Sequence, residues 1–242
     1  PADFTYRNAL IQTNVIKAAR WCRVKKLITL GSSCIYPRLC KQPMSEEDFL
    51  TGPYEPTNRG YAVAKTLGIE LCRAFHKQDE CNFYALMPPN LYGPHDNFKP
   101  DESHAVAALL RRVMEIPNYH DYVVWGSGNP CREFMHVNDL ASAIGHCLQH
   151  VNASDCGDNG FLNSGTGESC SILKLAQTVI EASGKYVNIV HDRSKPDGMP
   201  NKLMDSSKLN ALGWNHSIQL KDGIQSTYDW LAENWGMSVL RL

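Results

Sequence analysis

The 242-residue sequence has no excess charge of either sign: 24 lysines and arginines stand against 25 aspartates and glutamates, a formal net charge of -1. That balance excludes the basic footprint of a general nucleic-acid binder and the one-signed charge of a disordered tail. No apolar run approaches the ~18–20 residues that span a bilayer. Neither nucleic acid nor membrane is therefore expected as a partner. There is no internal repeat and no low-complexity stretch, and the 17 glycines and 13 prolines are ordinary for this length. The nine cysteines are scattered from Cys22 to Cys170 without a Cys-x-x-Cys pair. An odd, dispersed set argues against a disulfide scaffold and a structural zinc site, leaves no metal expected, and fits a reducing compartment. Two glycosylation sequons, at Asn152 and Asn215, are too short to carry weight.

A complete dinucleotide fingerprint is also missing. Such a site needs a glycine-rich turn between a strand and a helix, so that backbone N–H groups approach a pyrophosphate. Gly126-Ser127-Gly128-Asn129-Pro130-Cys131 has two of the glycines but opens no helix. In Gly165-Thr166-Gly167-Glu168-Ser169-Cys170 a cysteine replaces the third glycine, and Asp192 lies too far on for the acidic partner. Both read as tight turns. The first residue is Pro1 rather than Met and leads straight into a helical pattern. The sequence is expected to be the remainder of a longer or processed chain, so a missing targeting segment says nothing.

What is present is periodicity. Leu10, Ile11, Val15, Ile16, Ala19 and Cys22 recur at helical spacing over residues 4–24. Leu27-Ile28-Thr29-Leu30 is a short apolar run closed by Gly31-Ser32-Ser33, the form of a buried parallel strand. A polar, proline-rich stretch covers 37–60, a second helix is predicted from 58 or 60 to about 77, and a second buried strand over 83–87. Helix, strand, loop, helix, strand, with short apolar strands, predicts an α/β protein with a doubly wound parallel sheet; a mixed α+β domain is the alternative. Beyond residue 93 the texture changes. A polar loop is expected over 94–103, helices over 105–114, 139–150 and 173–183, and strands over 122–125 and 187–191. Shorter elements and longer loops suit a second, smaller lobe.

The stretch with most chemical content is Tyr61-Ala62-Val63-Ala64-Lys65. Residues four apart share a helix face, and an ammonium one turn from a phenol lowers a pKa otherwise near 10. That makes the phenol a usable proton donor near neutral pH; the alternative is a solvated Tyr–Lys pair. Ser32 lies where a parallel strand ends, the place where open α/β sheets bind ligands. From there a hydroxyl can hold a substrate carbonyl while Tyr61 protonates it.

A serine at a strand end followed by a Tyr-x-x-x-Lys helix resembles the short-chain dehydrogenase/reductase superfamily, in its extended, nucleotide-sugar-modifying branch. Five further stretches narrow the likeness. They are Gly31-Ser-Ser-Cys-Ile-Tyr-Pro37, Asn90-Leu-Tyr-Gly-Pro-His-Asp-Asn-Phe98, Leu109-Leu-Arg-Arg112, Val124-Trp-Gly-Ser-Gly-Asn-Pro130 and Ser194-Lys-Pro-Asp-Gly198. In this order, over essentially the whole chain, they resemble the GDP-L-fucose synthases, which epimerise GDP-4-keto-6-deoxy-D-mannose at C3 and C5 and reduce it at C4.

The resemblance implies a Rossmann-type sheet whose first strands and glycine turn lie upstream of Pro1. Residues 1–93 would form the C-terminal part of the NADP-binding domain, with 133–150 returning to it. Residues 94–242 would form mainly a smaller C-terminal α/β substrate domain. It implies Cys34 and His104 as the acid–base pair of the epimerisation, Tyr61 as proton donor, Lys65 as its partner and Ser32 as carbonyl anchor. Contacts with NADP(H) would come from Leu30, Gly31, Ser32, Ser33, Lys65, Pro88, Pro89, Asn90, Leu91 and His104. Contacts with the GDP-sugar substrate would come from Arg112, Trp125, Arg132, Asp197 and Lys202, since guanidinium and ammonium groups suit a diphosphate. A cytoplasmic homodimer is implied, formed through the helices at 4–24 and 60–77. Two departures stand out: Pro89 replaces a threonine of many relatives, removing one hydroxyl near the nicotinamide, and Arg59-Gly60 replaces Glu-Pro before Tyr61. A 4-epimerase, a 4,6-dehydratase or a catalytically silent subunit are the alternatives; Cys34 and His104 have no use in the first two.

Overall fold

A computed structural model of the chain describes residues 2–100 and 102–237. Pro1, placed by the sequence ahead of the first helix, Asp101 within the expected 94–103 loop, and residues 238–242 of the expected second domain lie outside the described residues. The elements run α1 (Ala2–Trp21), β1 (Leu27–Leu30), α2 (Arg59–Asp79), β2 (Phe83–Met87), β3 (Asn90–Tyr92), α3 (Ala105–Glu115), β4 (Asp121–Trp125) and β5 (Cys131–His136). They continue with α4 (Val137–His150), β6 (Phe161–Asn163), β7 (Ser169–Ser171), α5 (Ile172–Ser183), β8 (Asn188–Asp192), β9 (Asn201–Lys202), α6 (Ser207–Ala211) and α7 (Leu220–Asn234). The chain divides into two compact units. One comprises Pro1–Pro89, Leu140–Gly167 and Leu203–His216; the other comprises Asn90–Asp139, Glu168–Lys202 and Ser217–Leu242.

The first unit is built on a parallel sheet of order β1-β2-β6. Leu27 to Leu30 pair with Phe83 to Leu86, and Ala85 to Met87 with Phe161 to Asn163. All five residues of β2 are buried, which is why its sequence is continuously apolar rather than alternating. Helices α1 and α2 run alongside each other in the same direction: the ideal Cβ of Gly60 falls 2.3 Å from Thr5 Oγ1 and that of Gly68 2.0 Å from Gln12 Oε1. At these two positions the missing side chain permits the close approach. Gln12 Nε2 donates to Ala64 O at 2.7 Å, and Arg20 pairs with Asp79 at 2.7 Å. Ile16, Ala19, Cys72 and Phe83 form the core between helix pair and sheet. Each such buried aliphatic or aromatic side chain stabilises by about 1.5–3 kcal/mol. Lys26, ahead of β1, donates to the carbonyls of Cys147, Leu148 and Val151 and so caps α4.

The second unit holds a sheet in which β5 pairs β3 and β9 in parallel and β7 antiparallel, and a separate parallel pair β4·β8. Strand β4 alternates exposed and buried residues, placing Tyr122 and Val124 in a core with Leu110, Val113, Leu175, Val179, Ile224 and Leu231. Lys185 mirrors Lys26, donating to the carbonyls of Val113, Met114 and Ile116 at the end of α3.

The α/β class and parallel strands agree with the sequence reading, and the predicted helices and strands are present within about three residues of their expected ends. Strands β3, β5, β6, β7 and β9 and helices α6 and α7 were not predicted. The strands are short, α6 has five residues, and α7 is polar on most of its surface and buries Ile224 and Leu231.

Candidate functional site

Residues assigned to the chemistry fall in both units, and each group is described within its own. In the first, β1 ends at Leu30, and Gly31 passes over the Met87 side chain so closely that a Cβ would lie 2.1 Å from its sulfur. Ser32 is extended and caps a 3-10 turn, Ser33–Ile35, its Oγ accepting from the Cys34 N–H at 3.3 Å. This is ordinary N-cap chemistry; its consequence is that Ser32 and Cys34 sit on one turn at the carboxyl end of a parallel strand. Helix α2 starts after a second turn, Pro56–Asn58, where the Glu55 carboxylate accepts from the N–H groups of Thr57 and Asn58 at 2.8 and 3.1 Å. Tyr61 is the third residue of α2 and Lys65 follows one turn later.

These two pieces meet: the Tyr61 phenol lies close enough to the Ser32 side chain and to Cys34 for both to act on its ionisation. Burial is the largest influence on Tyr61 and raises its pKa, the neighbouring Cys34 adds to the rise, and Ser32 works against it. Lys65 Nζ donates to the Leu30 carbonyl at 2.7 Å and stands 5.6 Å from the centre of the Tyr61 ring. Burial pulls its own pKa down.

This corrects the sequence expectation of a phenol made acidic by Lys65: spacing brings the ammonium to the right face, but it is directed at a strand-end carbonyl and the phenol is raised. Leu30, Gly31, Ser32, Ser33, Cys34, Tyr61 and Lys65 are thus gathered at one strand end. Pro88 and Pro89 follow the carboxyl end of the adjacent strand β2.

The second unit carries the remaining assigned residues. Asn90 and Leu91 lie on β3, and the Asn90 amide donates to Glu133 O at 2.9 Å. His104 is the exposed N-cap residue of α3, and its charge acts to lower the raised carboxyl of Asp96. Arg112, near the end of α3, donates to Val123 O at 3.0 Å and places its guanidinium 4.7 Å from the Trp125 ring centre. Lys195 lies 5.3 Å from the same ring. Trp125 remains 54% exposed, so an aromatic surface flanked by two cations is presented to solvent.

Arg132 donates to the carbonyls of Cys131 and Met199 at 2.7 and 2.6 Å and stands opposite Lys202 in the β5·β9 register. The Asp197 carboxylate accepts from Ser127 N and Ser127 Oγ at 2.8 and 2.7 Å, and these bonds hold its pKa down and fasten the Gly126-Ser127 turn. The turn reading of Gly126 and Gly128 holds, with φ of +68° and +76°. The sequence did not single out Lys195 as a partner of Trp125, although the motif Ser194 to Gly198 contains it.

Known proteins resemble the chain over nearly its whole length. Residues 1–160 match the model of the NAD dependent epimerase/dehydratase family. The chain is 49% identical over 240 residues to the GDP-L-fucose synthase of Escherichia coli (strain K12), covering 97% of this chain and 75% of that protein. A solved GDP-6-OMe-4-keto-L-xylo-heptose reductase from C. jejuni superposes with a TM-score of 0.90 at 32% identity, covering 96% of this chain and 77% of that one. A GDP-L-fucose synthetase from Naegleria fowleri, solved bound to NADP, superposes with a TM-score of 0.86 at 28% identity, covering 97% and 71%. From its strand-end serine and Tyr-x-x-x-Lys helix to its overall likeness, the chain belongs to the NAD dependent epimerase/dehydratase family and, within it, to the GDP-L-fucose synthases.

Proposed function

We propose that the protein converts GDP-4-keto-6-deoxy-D-mannose to GDP-L-fucose, by epimerisation at C3 and C5 followed by NADPH-dependent reduction of the C4 ketone. The observation that carries this reading is the meeting of Ser32, Cys34 and Tyr61 at the carboxyl end of β1. The donor set there, an ammonium and a phenol one helical turn apart beside a strand end, fits the ribose and nicotinamide of such a coenzyme. Lys65, the Leu30–Ser33 strand end, Pro88 to Leu91 and His104 would hold it. When bound, the reduced nicotinamide supplies the hydride. Among the described elements no strand passes through a glycine-rich turn directly into a helix, so these residues account for the nicotinamide end and not for a pyrophosphate cradle.

The chain's own groups perform the proton transfers. Removing a proton next to a ketone leaves an enolate, and returning one to the opposite face inverts the carbon. Cys34 as thiolate is the base and His104 the acid of that exchange. In the reduction Ser32 orients the C4 carbonyl, and Tyr61 gives its proton to the C4 oxygen as the carbon receives hydride. A raised phenol is protonated throughout the neutral range and therefore loaded for that step. Arg112, Trp125, Arg132 and Lys202 are assigned to the GDP moiety, with Asp197 released from Ser127 or acting through that turn. A cytoplasmic setting accords with nine free thiols. Self-association into a homodimer accords with the apolar face that α1 and α2 leave uncovered.

Two substitutions in the full-length protein separate the half-reactions. Tyr61→Phe is expected to abolish NADPH oxidation while solvent deuterium still exchanges into the keto sugar; Cys34→Ser is expected to suppress the exchange. Exchange at the parental rate in Cys34→Ser would remove the base assignment.

A further inference from the structure

One motif is left unused by this chemistry: the stretch Asn163 to Gly167, which carries two of the glycines of an incomplete fingerprint. Its first residue is fully buried, and its polar groups are all committed. Asn163 Oδ1 accepts from the Tyr36 hydroxyl at 2.7 Å. Its Nδ2 donates to Met44 O at 3.0 Å and Asp205 O at 2.9 Å, and its backbone N–H donates to Glu46 Oε1 at 2.8 Å. A side chain bound on every polar atom in the interior has one orientation, and so do its partners.

Tyr36 is the residue that closes the 3-10 turn carrying Cys34, its N–H donating to Ser33 O. The same turn is fixed at its other end by Gly31, whose N–H donates to Leu86 O at 2.9 Å and whose Cα lies against the Met87 side chain. Met87 and Asn163 are register partners on β2 and β6. The turn between Gly31 and Tyr36 is therefore gripped at both ends by one pair of facing strand residues. At the other end the Tyr36 phenol, 3% exposed, makes the hydrogen bond to Asn163 while its ring packs edge-on against Phe161.

We infer that Tyr36 and Asn163 are a positioning pair for the proton-transfer step at Cys34: their buried hydrogen bond fixes the turn that aims the thiol beside Tyr61. The inference rests on the proposed role of Cys34 as base. Neither residue touches substrate in this account; both act through the turn. A displacement of about 1 Å at a reacting group can cost ~10²-fold in rate, so a bond remote from the chemistry is able to control it.

The test uses Tyr36→Phe, Asn163→Ala and the double variant in the full-length protein, with Cys34→Ser alongside. Four quantities are read: the solvent-exchange rate constant, its KM for the keto sugar, the rate of Cys34 alkylation by iodoacetamide without substrate, and the melting temperature. Tyr36→Phe is expected to lower the exchange rate constant at least about tenfold with KM within about twofold, and to change the alkylation rate at least about threefold. The double variant is expected to be no slower than the slower single one, since both remove the same bond. The inference fails if exchange and alkylation in Tyr36→Phe stay within about twofold of the parent while Cys34→Ser is inactive. It fails also if the two single effects multiply in the double variant, or if KM and melting temperature shift in step with the rate, which is the mark of general loosening. Exchange at the parental rate in Cys34→Ser instead strikes the base assignment, and alkylation of Cys34 continues to report on the grip.

Discussion

Helix α1 presents Phe4, Tyr6, Leu10, Ile11, Val15 and Trp21 to solvent, and α2 adds Val63 and Leu67. Ile11 is 62% exposed and Trp21 80%. This many exposed large apolar side chains on one helix pair suits an interface, and a homodimer that buries them is two-fold symmetric, so each residue counts twice. Ile11→Glu tests the proposal. Covering the exposed three-fifths of an isoleucine is worth about 1–2 kcal/mol per protomer. A carboxylate desolvated in its place costs a further ~1–3 kcal/mol per protomer. The dimer should therefore weaken by about 4–10 kcal/mol, or at least roughly 10³-fold in dissociation constant. Sedimentation velocity from about 0.1 to 50 µM spans the change. The parent is expected to sediment as a dimer and Ile11→Glu as a monomer. Because Ile11 faces away from the core, and glutamate is at least as good a helix former as isoleucine, the isolated protomer should keep its helical circular dichroism. A variant as dimeric as the parent over the whole range, or a parent monomeric at its top, refutes the reasoning.

Three other perturbations follow from single features. Lys26→Met removes three donations to the end of α4 and is expected to cost about 1–3 kcal/mol, read as a lower urea midpoint at unchanged slope. Gly93→Ala sets a Cβ 2.7 Å from Val137 Cγ1 at φ +154°; a stiff β-branched neighbour cannot yield cheaply, so a loss of about 1–3 kcal/mol is expected in thermal unfolding. The buried Glu46 carboxyl is raised chiefly by desolvation, so the folded chain keeps its proton to higher pH than the unfolded chain. Its contribution is then fully present below the ordinary carboxylate range and lost as pH rises through the raised value. Glu46→Gln does not titrate, and its melting temperature should fall less than the parent's between about pH 5 and pH 8.

The elements that were legible in the sequence are those whose burial pattern is simple. β2 is buried on all residues and α2 has one apolar stripe, and each leaves its period in the chain. β6 is three residues long, too short for any period to register. The segment 203–216 joins the first unit although its sequence neighbours belong to the second; it is held by Leu203 N–H on Gln42 Oε1 and by the Asn163 amide on Asp205 O, long-range bonds with no local signature. The same is true of Tyr36 and Asn163, 127 residues apart. Tyr61 and Lys65 could be named beforehand from their spacing within one helical turn and Ser32 from its place at a strand end, whereas Cys34 was named from the family resemblance. The bond between Asp197 and Ser127, 70 residues earlier, likewise has nothing local to announce it.

Tyr61 and Lys65 show where such spacing stops being informative. Four residues along a helix determine which face an ammonium occupies, not which acceptor it chooses there. The acceptor here is Leu30 O, a carbonyl at the open end of a strand that has no further partner in the β1·β2 register. A lysine satisfying a strand-end carbonyl neutralises no phenolate, and burial is then free to raise the phenol. This arrangement is suited to the reducing step as proposed. A general acid must hold its proton until hydride arrives, and a raised phenol holds it across the neutral range. Charge support is needed only as the phenolate forms, and Lys65 stands 5.6 Å from the centre of the ring. Lys65→Met should accordingly slow NADPH oxidation while leaving Cys34-dependent exchange within a factor of about three. Equal losses in both half-reactions would show that Lys65 holds the strand end in place rather than serving the phenol.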